Sequence, residues 1–154
     1  MTALRVALLT LPSPMSDAAS LAIIRELGAR LVLLGLSEPM RSKAGGVFGQ
    51  MRRHLARSGL RMLPYLVLGF GMPGRRRAFR RAAAASGAGF AIVRDVNGPA
   101  FLAALHAARP DLIVTLHFDQ ILAPETLAAA RLGGINLPPA LLPRHRGPVP
   151  ACWA

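Results

Sequence analysis

Residues 111–137, DLIVTLHFDQILAPETLAAARLGGINL, decide the fold. The run DLIVTLHF at 111–118 is nearly all apolar, which suits a central strand of a parallel sheet, buried on both faces. APETLAAARL then reads as a short helix that returns the chain to a second strand, GINL at 134–137. Strand, helix and strand within so few residues make a parallel crossover unit.

The same alternation extends upstream. LRVALLTL at 4–11 reads as a buried strand, and DAASLAIIRELG at 17–28 as a helix with Leu21, Ile24 and Leu27 on one face and Gly28 as its stop. ARLVLLGL follows as a strand, GVFGQMRRHLARS at 46–58 as a helix, and RMLPYLVLGFG contains a third strand. A helix over about 75–86, a strand FAIVRDV at 90–96 and a helix over about 98–108 complete the series. Repeated alternation with short connections predicts an open, doubly wound, mostly parallel α/β sheet with right-handed crossovers. No internal repeat or linker divides the chain, so one domain is expected.

At 154 residues the chain is long enough to bury roughly two-thirds of its unfolded surface. A 53% apolar composition argues against disorder, and a single cysteine, Cys152, excludes a disulfide scaffold or a multi-cysteine zinc knuckle. The cytoplasm is therefore the expected compartment. The opening MTALRVALLTLPSPM is interrupted by Arg5 and too short to span a bilayer; MLPYLVLGFGMP is also short and contains two prolines. No membrane segment is expected. The net charge of +12 comes from eighteen arginines and Lys43 against seven acids. Such a surface attracts phosphates or nucleic acid, and a compositional bias of the source explains it equally well.

Glycine-rich nucleotide motifs are absent. The chain has no GxxxxGK[ST], and TLPSPM occupies the first strand-to-helix turn, where a dinucleotide-binding protein needs glycine. Ligands of open α/β sheets bind outside the carboxyl ends of the strands. DLIVTLHF runs out into DQILAP and GINL into PPALLPRHRG, so these two loops are expected to form adjacent walls of one cleft. Pro138, Pro139 and Pro143 would stiffen the second wall. Asn136, at a strand end, offers an amide donor for an oxygen that develops negative charge, or else satisfies a turn. His117 follows the strand and is a candidate for the same cleft; Asp119 would project to the same side if the strand continued, and a structural hydrogen bond or helix cap is at least an equal role for it. No spacing suggests a metal site. Arg75, Arg76, Arg77, Arg80 and Arg81 oppose the helix dipole at a helix start, which calls for solvent screening or an anionic partner.

Taken with its continuation PPALLPRHRGPVPACWA, the stretch from Asp111 to Ala154 resembles the folate-dependent formyltransferase family. That family has an aspartate-led strand, an Ile-Leu-Pro-like turn, and a segment close to G-x-I-N-x-H-P-S-L-L-P-x-x-R-G-x-x-P. The resemblance implies a Rossmann-like catalytic domain that transfers a formyl group from 10-formyltetrahydrofolate, or a related reduced folate, to an amine. Asp119, Gln120, Ile121 and Leu122, with Ala140, Leu141 and Leu142, would form much of the pterin pocket. Asn136 would bind the formyl oxygen, and Pro139, Pro143, Arg146 and Gly147 would shape the loop.

The pattern departs from the family at its chemical centre. Pro138 stands where the family has its catalytic histidine, and the catalytic aspartate of the family is expected downstream of Ala154. Residues 1–154 are thus expected to be an N-terminal formyltransferase-like domain or fragment, incomplete at its C-terminal side. Two functions follow from the resemblance: a formyltransferase with impaired or altered catalysis, or a noncatalytic domain that binds folate or a protein. A small-molecule amine, a sugar-nucleotide amine or tRNA would be the acceptor.

Overall fold

The computed structural model describes residues 3–14, 16–38 and 74–138. The expected helix at 46–58 and the strand within 61–71 lie outside them. The described elements are β1 (Val6–Thr10), α1 (Asp17–Leu27), β2 (Leu31–Ser37), α2 (Arg75–Ala85), β3 (Gly89–Val93), α3 (Pro99–Ala108), β4 (Leu112–Leu116), α4 (Pro124–Ala128) and β5 (Gly134–Leu137). The five strands form one sheet in the order β3-β2-β1-β4-β5, and every pairing is parallel. The α/β expectation is borne out.

Two apolar layers sit on opposite faces of this sheet. Val6, Leu8, Leu31, Leu34, Leu36 and Val114 meet Ile24 of α1 and Phe79 and Ala83 of α2 on one face. Ala7, Leu9, Leu33, Val93 and Ile113 meet Phe101 and Leu105 of α3, together with Ala130, on the other. The division follows from chain direction. β1 leads outward to β2 and then β3, whereas β4 lies on the far side of β1. Right-handed crossovers running in opposite directions place their helices on opposite faces. The reversal falls between β1 and β4, whose carboxyl ends mark the topological switch point.

Helix ends follow local chemistry. Pro99 and Pro124 open α3 and α4 at positions where a missing N–H costs nothing, and Gly28, at φ 51°, closes α1. The last helix is shorter than the expected 123–132, covering only five residues. Its end tightens: the amides of Ala129 and Ala130 donate to the carbonyls of Thr126 and Leu127. Leu132 N then reaches Asp111 O at 2.7 Å, and Gly133, at φ 69°, turns the chain into β5. Tertiary pairing at the base of β4 therefore ends the helix before its alanines run out.

At the amino edge, Arg5 joins three segments. Its amide donates to Asp111 Oδ2 at 2.9 Å, and its guanidinium donates to the carbonyls of Arg109 (3.0 Å) and Ala108 (2.7 Å) at the end of α3. Asp111 also pairs with Arg131 at 3.3 Å. These contacts hold its carboxyl below the usual carboxylate range, the Arg5 amide contributing most.

Candidate functional site at the carboxyl ends of β4 and β5

Beyond β4 the backbone leaves the sheet at once, because His117 adopts φ 46°. The condition under which Asp119 would share a side with His117, a strand that continues, is therefore not met. The His117 carbonyl accepts from Leu11 N at 3.1 Å and so stays with β1. Its Nε2 is buried, with no hydrogen-bond partner among the described residues. Burial lowers its pKa from the ordinary value of 6.5, against the attraction of Asp119 and Asp17. Asp119 accepts from Ser37 Oγ at the end of β2. Neither residue lines the cleft described next.

That cleft, of about 380 Å³, opens between β4, β5 and the loop 118–122. Its volume suits a small ring system. Ile113, Phe118, Leu122 and Leu127 provide apolar walls, and Thr115, Gln120 and Asn136 provide polar groups. Ile121 stands at its lip, 89% exposed. Gly134 keeps the cleft narrow at its base: a Cβ there would sit 2.9 Å from Leu127 Cδ2 and 3.3 Å from Ile113 O.

The loop wall is fixed by two amides. Gln120 Nε2 donates to Ser37 Oγ (3.0 Å) and Val93 O (3.2 Å), and its Oε1 accepts from Val96 N (2.9 Å). The side chain expected to hold a ligand is thus committed to tying together the ends of β2 and β3, leaving only its flank for the cleft. Asn97 completes the wall. Its Nδ2 donates to Ile121 O (2.9 Å), and its Oδ1 accepts from Ala123 N (2.8 Å) and Thr126 Oγ1 (2.7 Å). Sequence reading missed Asn97, since its partners lie 24 to 29 residues away and DVNGPA looks like an ordinary turn.

On the opposite wall, β4 and β5 pair Thr115 with Asn136, and Thr115 Oγ1 donates to Asn136 Oδ1 at 2.8 Å. Thr115 also escaped the sequence reading. Pro138 follows, exposed, immediately after β5. Pro139, Ala140, Leu141, Leu142, Pro143, Arg146 and Gly147 lie outside the described residues.

Among the described residues of the turn after β1, the backbone amides are already engaged. Ser13 N donates to Asp17 Oδ1 (2.9 Å), while Ser16 N and Asp17 N both donate to Ser13 O. Desolvation raises the Asp17 pKa despite that amide and the nearby Arg75, which lies 3.1 Å away. The arginine row of α2 is partly compensated as well. Arg76 and Arg94 both pair with Glu38 (3.2 and 2.9 Å), and Arg80 stacks over Phe90 at 5.2 Å. Glu38 is held below the usual carboxylate range, chiefly by Arg94. Among the described residues, no group of three or more His, Cys, Asp and Glu could hold a metal.

Fold and cleft together describe a doubly wound α/β protein with a cleft at the carboxyl edge of its sheet. Comparison of the sequence with known families places it more narrowly: the chain belongs to the formyl transferase family, whose model matches residues 76–154. It is 46% identical over 56 residues to the methionyl-tRNA formyltransferase of Rhodopirellula baltica, covering 36% of this chain and 17% of that protein. It is 48% identical over 58 residues to that of Syntrophus aciditrophicus (38% and 19%), and 47% over 62 residues to that of Chlorobium chlorochromatii (40% and 19%). The matched stretch spans less than a fifth of each relative. No helix among the described residues is long and apolar enough to cross a membrane.

Proposed function

We propose that residues 1–154 form an N-terminal formyltransferase-like domain of the cytoplasm that binds 10-formyltetrahydrofolate or a related reduced folate and transfers its formyl group poorly. The observation that carries this reading is Asn136 on the wall of the β4–β5 cleft, with Pro138 two residues beyond it. In this reading Ile121, Leu122 and the flank of Gln120 contact the pterin, and Ala140, Leu141 and Leu142 complete the pocket. Pro139, Pro143, Arg146 and Gly147 shape its outer loop, while Asp119 supports the wall through Ser37.

Formyl transfer requires an amine to attack the formyl carbon, negative charge to develop on the formyl oxygen, and the bond to the folate nitrogen to break as a proton passes from amine to leaving nitrogen. Asn136 supplies an N–H for the developing charge. Pro138 has no side-chain group that can relay the proton. General acid–base assistance typically contributes about 10²–10⁴-fold, so its loss leaves binding intact and turnover slow. The names of the relatives and the net charge of +12 favour tRNA as acceptor, with a small-molecule or sugar-nucleotide amine as the other acceptor class.

Titration of the folded chain with reduced folate should saturate; failure to bind sinks the reading. Pro138→His should raise acceptor-dependent loss of formyl from the donor by up to the acid–base factor of about 10²–10⁴. Binding without any gain from Pro138→His would favour the second reading, a noncatalytic folate-binding or protein-interaction domain, to which Pro138 also points.

A further inference from the structure

An asparagine amide has two ends of similar shape and opposite hydrogen-bonding character. Nδ2 attracts an oxygen that carries charge, and Oδ1 repels it. On β5, exposed and outermost among the described strands, little packing distinguishes the two orientations of Asn136. Thr115 makes the distinction. It faces Asn136 across the β4–β5 pair and is only 8% exposed. A buried hydroxyl must place its proton on an acceptor. Asn136 Oδ1 lies 2.8 Å away, whereas the competing carbonyl of Ile135 is at 3.5 Å. With Oδ1 turned to β4, both Nδ2 protons remain unengaged by the described residues, on a side chain that lines the cleft.

We propose that Thr115 is a positioning residue, holding the Asn136 amide in the orientation that donates to a carbonyl oxygen bound in the cleft. The nature of that oxygen, a formyl group on a reduced folate, rests on the function proposed above. The Thr115–Asn136 contact itself does not.

Thr115→Val keeps the shape and removes the hydroxyl; Thr115→Ser restores it. In amide-resolved NMR of the chain, with the Asn136 side-chain pair assigned through Asn136→Asp, Thr115→Val should displace that pair and Thr115→Ser should return it. A hydrogen bond of ordinary net strength then sets the binding effect. Thr115→Val should weaken a stable 10-formyl folate analogue about two- to tenfold, leave its deformylated counterpart unchanged, and be rescued by Thr115→Ser. Equal weakening of both ligands, or of neither, overturns the proposal, as does an Asn136 resonance pair that does not move. If neither ligand binds the unaltered chain, the folate reading falls; displaced resonances then still support the orienting contact, and unmoved ones overturn it.

Discussion

His117 combines backbone strain with burial at the divide between β1 and β4. A histidine at φ 46° is uncommon, and its Nε2 is withdrawn from water with no partner among the described residues. Asp17 on α1 and Asp119 beyond β4 attract a proton to the ring, but desolvation outweighs them, so the folded pKa lies below the unfolded one. The unfolded chain therefore takes up the proton first. Stability contributed by this ring is complete above the ordinary histidine range and is lost as pH falls through the folded value. The raised pKa of Asp17 acts with the opposite sign, at carboxylate pH, while the lowered values of Glu38 and Asp111 withdraw stability at lower pH still. Asparagine tolerates positive φ, so His117→Asn should flatten the fall in denaturation midpoint between about pH 7.5 and about pH 5.5. An unaltered slope there would show that the ring is not the responsible group.

The elements depend on close approach as much as on periodicity. Gly35 in β2 lies beneath Phe101: a Cβ would meet Leu9 Cδ2 at 2.7 Å, Val93 Cγ2 at 3.0 Å and Phe101 Cε2 at 3.4 Å. Gly35→Ala should destabilise the fold by about 1–3 kcal/mol through overpacking, read as a lowered midpoint in denaturant with unchanged slope. Wild-type stability would mean that Leu9 and Phe101 shift freely. The identity of β2 was legible from its apolar run, but its need for glycine was not, since Leu9, Val93 and Phe101 arrive from three other elements. The loop 118–123 follows the same logic. Its place beside the cleft was expected from the carboxyl-end rule, whereas its fixation by Gln120 and Asn97 depends on partners at the ends of β2 and β3.

At the scale of the molecule, charge is unevenly spread along the described chain from 74 to 138. Residues 74–94 carry six arginines and no acid, while residues 95–138 carry Asp95, Asp111, Asp119 and Glu125 against Arg109 and Arg131. Helix α2 begins near the carboxyl end of β2, where Arg76 meets Glu38, and Arg77 and Arg81 have no acidic partner among the described residues. If the acceptor is tRNA, replacing Arg77, Arg80 and Arg81 by glutamine should flatten the salt dependence of RNA binding. Up to about 0.9 of logarithmic slope is lost per phosphate contact removed. A slope identical to that of the parent chain would exclude this face from the RNA path. Arg80→Gln also removes the stacking on Phe90, so circular dichroism of the variant should first match that of the parent chain.

The sequence alone determined the types of the described elements, the parallel sheet and the family, because apolar periodicity and the ordered motif from Asp111 onward are local properties of the chain. It also raised Asn136 and Pro138 as candidates, and the fold sets Asn136 on the cleft wall. Only tertiary structure decided that His117 and Asp119 turn away from the cleft, that Gln120 is engaged in joining strand ends, and that Thr115 orients the amide of Asn136. Each outcome depends on hydrogen bonds between residues 20 or more positions apart or on a single positive φ. Such partners become neighbours only when the sheet brings its carboxyl ends together, and no spacing along the chain encodes them.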